Sequence, residues 1–389
     1  MKTWYFSECP YPNLPDPSTY DSIRVSLPNA LYDPTVGAGL YDVYLDLWQQ
    51  ADEQGLDVMT NEHHATATCL VPAVPIVAGI LARITKQARI LILGNPIANR
   101  RDPLRVAEEM ALIDNLSKGR LEVGFVRGVP FEVLPANSRP TGMHDRMWEA
   151  HDLILKAWDV HDGPFSWEGT WHHRYVNIWP RPYQQPRPPV WVTGTSVSSV
   201  APIAQHGHTM ASFVTGHEMT KALYGEYRRH YAAANGGAAC PDDRLAYGVQ
   251  VYVADSEEAA REGAMALRWY FDANKVPGYL ASPPGYNPPK RMAAAGTSTV
   301  PIPQARQAKG QPFEWLVDKG VLFGGTPDQV VDQITRFYHA VGGFGNILMM
   351  GHAGQMTYAQ TSRSLKLYAT EVLPRLTELQ APAGTGAVA

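Results

Sequence analysis

Apolar residues follow two rhythms along the chain. Short runs rich in apolar residues occur at 2–6, 56–60, 90–93, 121–125, 190–194, 209–213, 245–254 and 346–350, the one at 90–93 apolar throughout. Runs of this kind predict strands buried on both faces, as in a parallel sheet covered by helices. Between them lie longer stretches whose apolar residues recur near helical spacing: 41–54, 73–83, 103–116, 144–158, 218–234, 256–270 and about 358–373, with a short helix starting near Ser198. Gly55 stops the first of these, Asp102 and Pro103 supply an N-cap and first helical residue for the third, and Ser256 can cap the one it opens. Eight strand–helix steps without a domain break predict a (β/α)8 TIM barrel, one domain over 1–375. The other candidate, an open doubly wound sheet, usually carries a glycine-rich turn after its first strand. Here that segment is SECPYPNLPDP, without GxGxxG.

Two segments break the rhythm. Residues 161–189 form an aromatic, proline-rich insertion ending RPYQQPRPP, and 276–313 are rich in Pro, Gly, Ala and Ser. A loop as long as the second is functional or disordered, and Lys290 and Arg291 are its adjacent cations. Residues 376–389 are expected to be a flexible tail.

Composition narrows the class. The 389 residues are 45% hydrophobic with net charge −4, ample for a large core and without a basic run for nucleic acid or an anionic membrane. Cys9, Cys69 and Cys240 form no CxxC pair or disulfide framework, which fits a reducing compartment. No secretory h-region opens the chain and no apolar run reaches 18 residues, so a cytoplasmic protein is expected.

Barrel sites are built where strands end at their C-terminal side. After the second strand stands TNEHHATA, placing Glu62, His63 and His64 at such an end. After the third come Gly94 and Asn95, after the fourth Arg127, after the fifth Thr195, Ser196, Ser198 and Ser199, and after the eighth His352. GTSVSS at a helix start offers N–H groups and hydroxyls to an anion, and Arg from the neighbouring strand could clamp a phosphate. An ordinary serine cap and a structural arginine are the competing explanations. The other histidines, HDGP, WHHR and QHGH among them, fall in loops or helix ends. No metal site is expected, since no HExxH appears. Trp4, Phe6, Trp167, Trp171 and Trp179 could line an apolar pocket, although such aromatics more often pack.

Three blocks, NEHH, RRDPLRVAEEMALIDNLSKGR with the following GRLEVGFVRG, and PVWVTGTS, resemble the bacterial luciferase-like flavin-dependent oxidoreductases. The resemblance covers about 1–270 and 315–375. It implies a TIM barrel that binds a flavin phosphate, with the 276–313 insertion as a lid over the site. Arg127 with Thr195, Ser196 and Ser199 would be the phosphate site, and His63 the catalytic histidine, oriented by Glu62 or His64. Gly94 and Asn95 would be joined by a non-proline cis peptide behind the flavin ring. Val126 stands where the luciferase large subunit has a reactive cysteine, which argues against light emission.

The expected activity is therefore a monooxygenase that uses reduced FMN and O2 to oxygenate a small, largely apolar organic substrate through a flavin 4a-(hydro)peroxide. A separate flavin reductase would deliver the reduced FMN, and a homodimer is expected. The alternatives are a deazaflavin-dependent hydride-transfer enzyme of the same superfamily and a non-catalytic flavin-binding subunit.

Overall fold

A computed structural model describes residues 1–287, 304–377 and 379. Eight parallel strands close on themselves. They are β1 (Lys2–Ser7), β2 (Asp57–Thr60), β3 (Ile90–Pro96), β4 (Leu121–Val126), β7 (Val190–Thr193), β8 (Thr209–Phe213), β9 (Leu245–Val253) and β11 (Asn346–His352). Each pairs with the next, β8 pairs with β9 and β9 with β11, and Lys2 beside Asn346 joins the last strand to the first. This is the expected barrel, with all eight predicted strands in its wall.

Period-two alternation sorts the strand residues. Trp4, Phe6, Met59, Leu91, Leu93, Trp191, Ala211, Ala246, Leu348 and Met350 pack together inside the barrel, while Tyr5, Val58, Ile90, Ile92, Val123, Phe125, Ile347 and Met349 pack under the helices. Trp4 meets Trp191 edge-on at 5.3 Å, and its indole N–H donates to Asn346 Oδ1 at 3.1 Å.

Helix α1 (Pro34–Glu53) starts earlier than its apolar spacing suggested, because Asp33 accepts from Thr35 N–H at 2.7 Å and Pro34 fits the first turn. Helices α2 (Val74–Ile84), α3 (Pro103–Ser117), α4 (Met143–Asp159), α5 (Val200–Gln205), α6 (Gly216–Ala234) and α7 (Glu257–Leu267) follow the expected order. Asp102 caps α3 as predicted, and Ser256 caps α7. The helix expected over 256–270 breaks after Leu267, and a second short helix runs Trp269–Ala273.

A ninth parallel strand, β10 (Leu322–Gly325), and helix α8 (Pro327–Val341) were not anticipated, whereas the closing helix α9 (Tyr358–Leu367) was. The apolar run of β10 is only four residues long and half glycine. Strand β9 is long enough to serve both structures: its first part lies in the barrel wall and Gln250–Val253 pairs with β10. Around β10 a satellite core gathers Tyr252, Leu267, Phe271, Leu316, Leu322 and Met356. The 161–189 insertion contains an antiparallel hairpin, β5 (Phe165–Glu168) with β6 (His172–Val176). The described ends of the 276–313 insertion include short helices at Gly278–Ala281 and Gln304–Gln307. Lys290 and Arg291 lie outside the described residues, as does nearly all of the expected tail.

Candidate active site at the barrel mouth

Because every barrel strand is parallel, their C-terminal ends open on one rim. Strand β1 delivers Glu8 there, β2 delivers Asn61 to His64, β4 delivers Arg127 and β7 leads into Thr195. The side chain of His63 is 14% exposed and stands between two carboxylates. Its Nδ1 is 2.7 Å from Glu132 Oε1, and its Nε2 is 3.7 Å from Glu8 Oε1. Burial alone would push this imidazole down. The Glu8 charge and the hydrogen bond to Glu132 outweigh burial and raise it to about 9. His63 is therefore an imidazolium at neutral pH, a proton donor rather than the half-titrated group expected of an ordinary histidine.

Glu8 is itself buried, which alone would raise its carboxyl, but His63 and Arg24 hold it below its ordinary range. Asn61 Nδ2 at 3.3 Å and the Tyr270 hydroxyl at 3.2 Å donate to it. Arg24 is 3% exposed, lies 3.9 Å from Glu8, and stacks over Phe131 and Tyr270 at 5.0 and 5.7 Å. Its Nε and Nη1 have no protein partner among the described residues, so a buried guanidinium retains donor capacity at the rim.

Glu62 and His64 do not orient His63. They bond each other, His64 Nε2 to Glu62 Oε1 at 2.7 Å. Glu62 Oε2 accepts from Val74 N–H at 3.1 Å, capping α2, and from Arg100 Nη2 at 2.8 Å. Arg100 continues to Asn95 Oδ1 at 3.0 Å, so a polar chain runs from His64 to the end of β3. The group that fixes His63 is Glu132, whose Oε1 also accepts from His64 N–H at 3.0 Å.

On the β3 side, the ladder to β4 slips between Ile92 and Asn95, so that Leu93 and Gly94 together oppose Gly124. The non-proline cis bond lies at Leu93–Gly94, one residue before the Gly94–Asn95 bond expected from the resemblance, within that extra residue of β3. A Cβ on Gly94 would stand 2.3 Å from Val126 Cγ1, so only glycine fits against that valine. Asn95 is fully buried, and its Nδ2 has no protein partner among the described residues. Arg127 lies over the Tyr286 ring at 4.2 Å, and the Tyr286 hydroxyl donates to Gly128 O at 2.7 Å, so the second insertion folds onto this part of the rim.

Strand pairing sets Arg127 beside the segment after β7, since Phe125 opposes Val192. There Ser196 and Ser199 form a reciprocal cap, with Ser199 Oγ donating to Ser196 O at 2.6 Å, while Thr195 is exposed. His352 does not join the site. It is buried against Tyr44, its Nδ1 is 2.7 Å from Thr361 Oγ1, and burial lowers it to about 4. The five aromatics line no common pocket: Trp4 and Phe6 fill the barrel, Trp167 bonds Glu149, Trp171 bonds Arg101 O, and Trp179 is exposed.

Glu8, Arg24, Glu132 and Tyr270 were absent from the residues selected by sequence. Glu8 had the signal of its neighbours, a carboxylate directly after an apolar strand. The other three come from loops and a helix with no such mark.

The family model described as "Luciferase-like monooxygenase" matches residues 27–343. The oxygenase component of a flavin-dependent trigonelline monooxygenase from Acinetobacter baylyi is 28% identical over 242 residues, which are 60% of this chain; the match spans 65% of that relative's length. A 2,5-diketocamphane 1,2-monooxygenase from Pseudomonas putida is 25% identical over 370 residues, 87% of this chain and 94% of that protein. Among solved structures, the oxygenating constituent of 3,6-diketocamphane monooxygenase from Pseudomonas putida, a type II Baeyer-Villiger monooxygenase in complex with FMN, superposes with a TM-score of 0.75. It is 20% identical and covers 98% of this chain and 99% of that one. The chain belongs to the luciferase-like monooxygenases, flavin-dependent oxidoreductases built on a TIM barrel.

Proposed function

We propose that this protein is the oxygenase of a two-component system, using reduced FMN from a separate reductase and O2 to oxygenate a small, largely apolar organic substrate. The observation that carries the reading is His63, held as an imidazolium between Glu132 and Glu8 beside the buried Arg24. Bound reduced FMN would supply two electrons to O2, one oxygen atom passing to the substrate and the other leaving as water. The residues present fit that cofactor. Asn95 keeps a buried donor beside the side-chain-free Gly94, and Arg127 stands beside the Thr195–Ser199 turn. His63 donates a hydrogen bond from Nδ1–H to Glu132 and keeps the Nε2 proton for transfer. Arg24 offers N–H groups to a substrate carbonyl.

Exposed apolar residues on neighbouring helices, Ile76 and Ile80 on α2 with Leu112 and Leu116 on α3, support the homodimer. No helix among the described residues is long and apolar enough to cross a membrane, and a cytoplasmic location is proposed with it.

Anaerobic titration with reduced FMN tests the cofactor. Binding is expected, and Arg127→Ala should weaken it by roughly 1.5–3 kcal/mol, the usual contribution of a charge-assisted hydrogen bond. Equal affinity in the variant removes Arg127 from the phosphate site. Binding of a reduced deazaflavin coenzyme in place of FMN, without oxygen uptake, would establish the hydride-transfer alternative.

A further inference from the structure

At the end of the barrel opposite the mouth, three histidines converge. His151 projects from α4, His206 follows α5, and His208 immediately precedes β8, at that strand's N-terminal end. One nitrogen of each lies within 4.8 Å of the others. His151 Nε2 is 2.7 Å from His208 Nε2, and the His206 ring stacks parallel to His208 at 5.3 Å. His151 and His208 are buried, while His206 is exposed.

We propose that His151, His206 and His208 form a binding site for a divalent transition-metal ion, Zn2+ by ligand preference, separate from the flavin site. Three imidazoles suit zinc, copper or nickel, and three protein ligands with an open fourth position is a common zinc arrangement. The proton positions agree with this. His151 Nδ1 donates to Asp152 Oδ1 at 2.8 Å, which leaves Nε2 as the lone-pair nitrogen aimed at His208. That is the carboxylate–histidine relay that orients a metal-bound imidazole. Binding needs the His208 ring proton to move from Nε2 to Nδ1, so that a neutral imidazole presents its Nε2 lone pair. It also needs the two nitrogens to part to about 3.3 Å, the separation that metal–nitrogen bonds of about 2.0–2.1 Å give at a tetrahedral angle.

The frame is already rigid. The His208 carbonyl accepts from the Tyr227 hydroxyl at 2.6 Å, Gly207 O accepts from Arg244 at 2.8 Å, and Trp148 packs face-on against His206. The exposed His206 gives an ion its path from solvent. Arg187 and Arg244 are the nearby cations, the former paired with Asp159. Their charge opposes a second positive ion, so moderate affinity is expected rather than a permanently loaded site. Sequence spacing pointed away from a metal, because two ligands come from an HGH step and the third from a helix more than fifty residues earlier.

The test is metal binding by the full-length chain, stripped with chelator and free of flavin. Titration with Zn2+ should show one equivalent per chain, and Co2+ should produce the visible bands of a low-symmetry nitrogen site. His206→Ala removes an exposed ligand without touching the core and should weaken Zn2+ at least tenfold. Asp152→Asn should weaken it by roughly 10–100-fold, the usual cost of losing an outer-shell partner. His172→Ala with His173→Ala on the hairpin should change nothing. Absence of stoichiometric Zn2+ binding, undiminished binding in His206→Ala, or loss in the hairpin variant would each overturn the site.

Discussion

Two histidine centres sit at opposite ends of one barrel and hold opposite protonation states, one charged and one neutral. At the mouth His63 lies between Glu132 and Glu8, and their influence overrides burial to keep it protonated. At the far end His151 and His208 face each other, burial pushes both well below their ordinary range, and the half-exposed Asp152 opposes it at His151. Burial acts in the same direction at both ends. The sign of the net shift is decided by whether a carboxylate is buried with the ring. One centre is thereby suited to giving a proton, and the other to offering a lone pair.

The most direct way to break this contrast is His63→Ala. Turnover should fall by ~10²–10⁴ with reduced-flavin binding nearly intact, the scale for losing a general acid. Normal turnover in steady-state assays would remove the proton-donor role. Glu132→Gln sharpens the comparison. Without that charge the imidazolium is less favoured, so the alkaline limb of the turnover profile, set near pH 9 by His63, should move to lower pH. An unmoved limb would show that another group sets it.

Stability should depend on pH in opposite senses at the two ends. His63 titrates higher in the folded chain than its ordinary value of about 6.5, so its contribution is complete below that pH and fades as pH rises toward 9. His208 titrates lower when folded, so its contribution is complete above about 6.5 and fades as pH falls. Denaturation measured against pH should show His208→Gln losing up to about 1.4 kcal/mol per pH unit of acid dependence below 6.5, with the alkaline side unchanged. An identical acid slope in the variant would mean that His208 is not held neutral. The smallest effect belongs to His64→Ala, which leaves His63 with Glu132 and should lower turnover less than tenfold. A larger loss would place the Glu62–Arg100–Asn95 chain in the chemistry.

The fold was legible because its strands are apolar on both faces and its caps are ordinary: Asp102 and Ser256 do what their positions predicted. Strand β10 was hidden because LFGG is short and half glycine. Helix α8 did carry a signal, Thr326 with Gln329 as a capping box, Pro327 at the first turn, and Val330, Ile334, Phe337 and Val341 at helical spacing. At the site, His63 could be found from its place after β2. Its partner Glu132 could not, because it reaches His63 only through a loop path that local spacing does not encode. The cis bond was misplaced by one residue because the resemblance marks a segment, whereas the extra residue in β3 is set by its pairing with β4.

The joining of β1 to β11 has a consequence for how the chain is made. Lys2 meets its neighbour only when Asn346 has been synthesised. Until then a nascent barrel has two open edges, β1 on one side and the Ala246–Val249 part of β9 on the other, each a template for pairing with another chain. Truncation anywhere before β11 should therefore yield aggregation rather than a smaller soluble barrel, and chaperone dependence during synthesis should end when that last strand emerges.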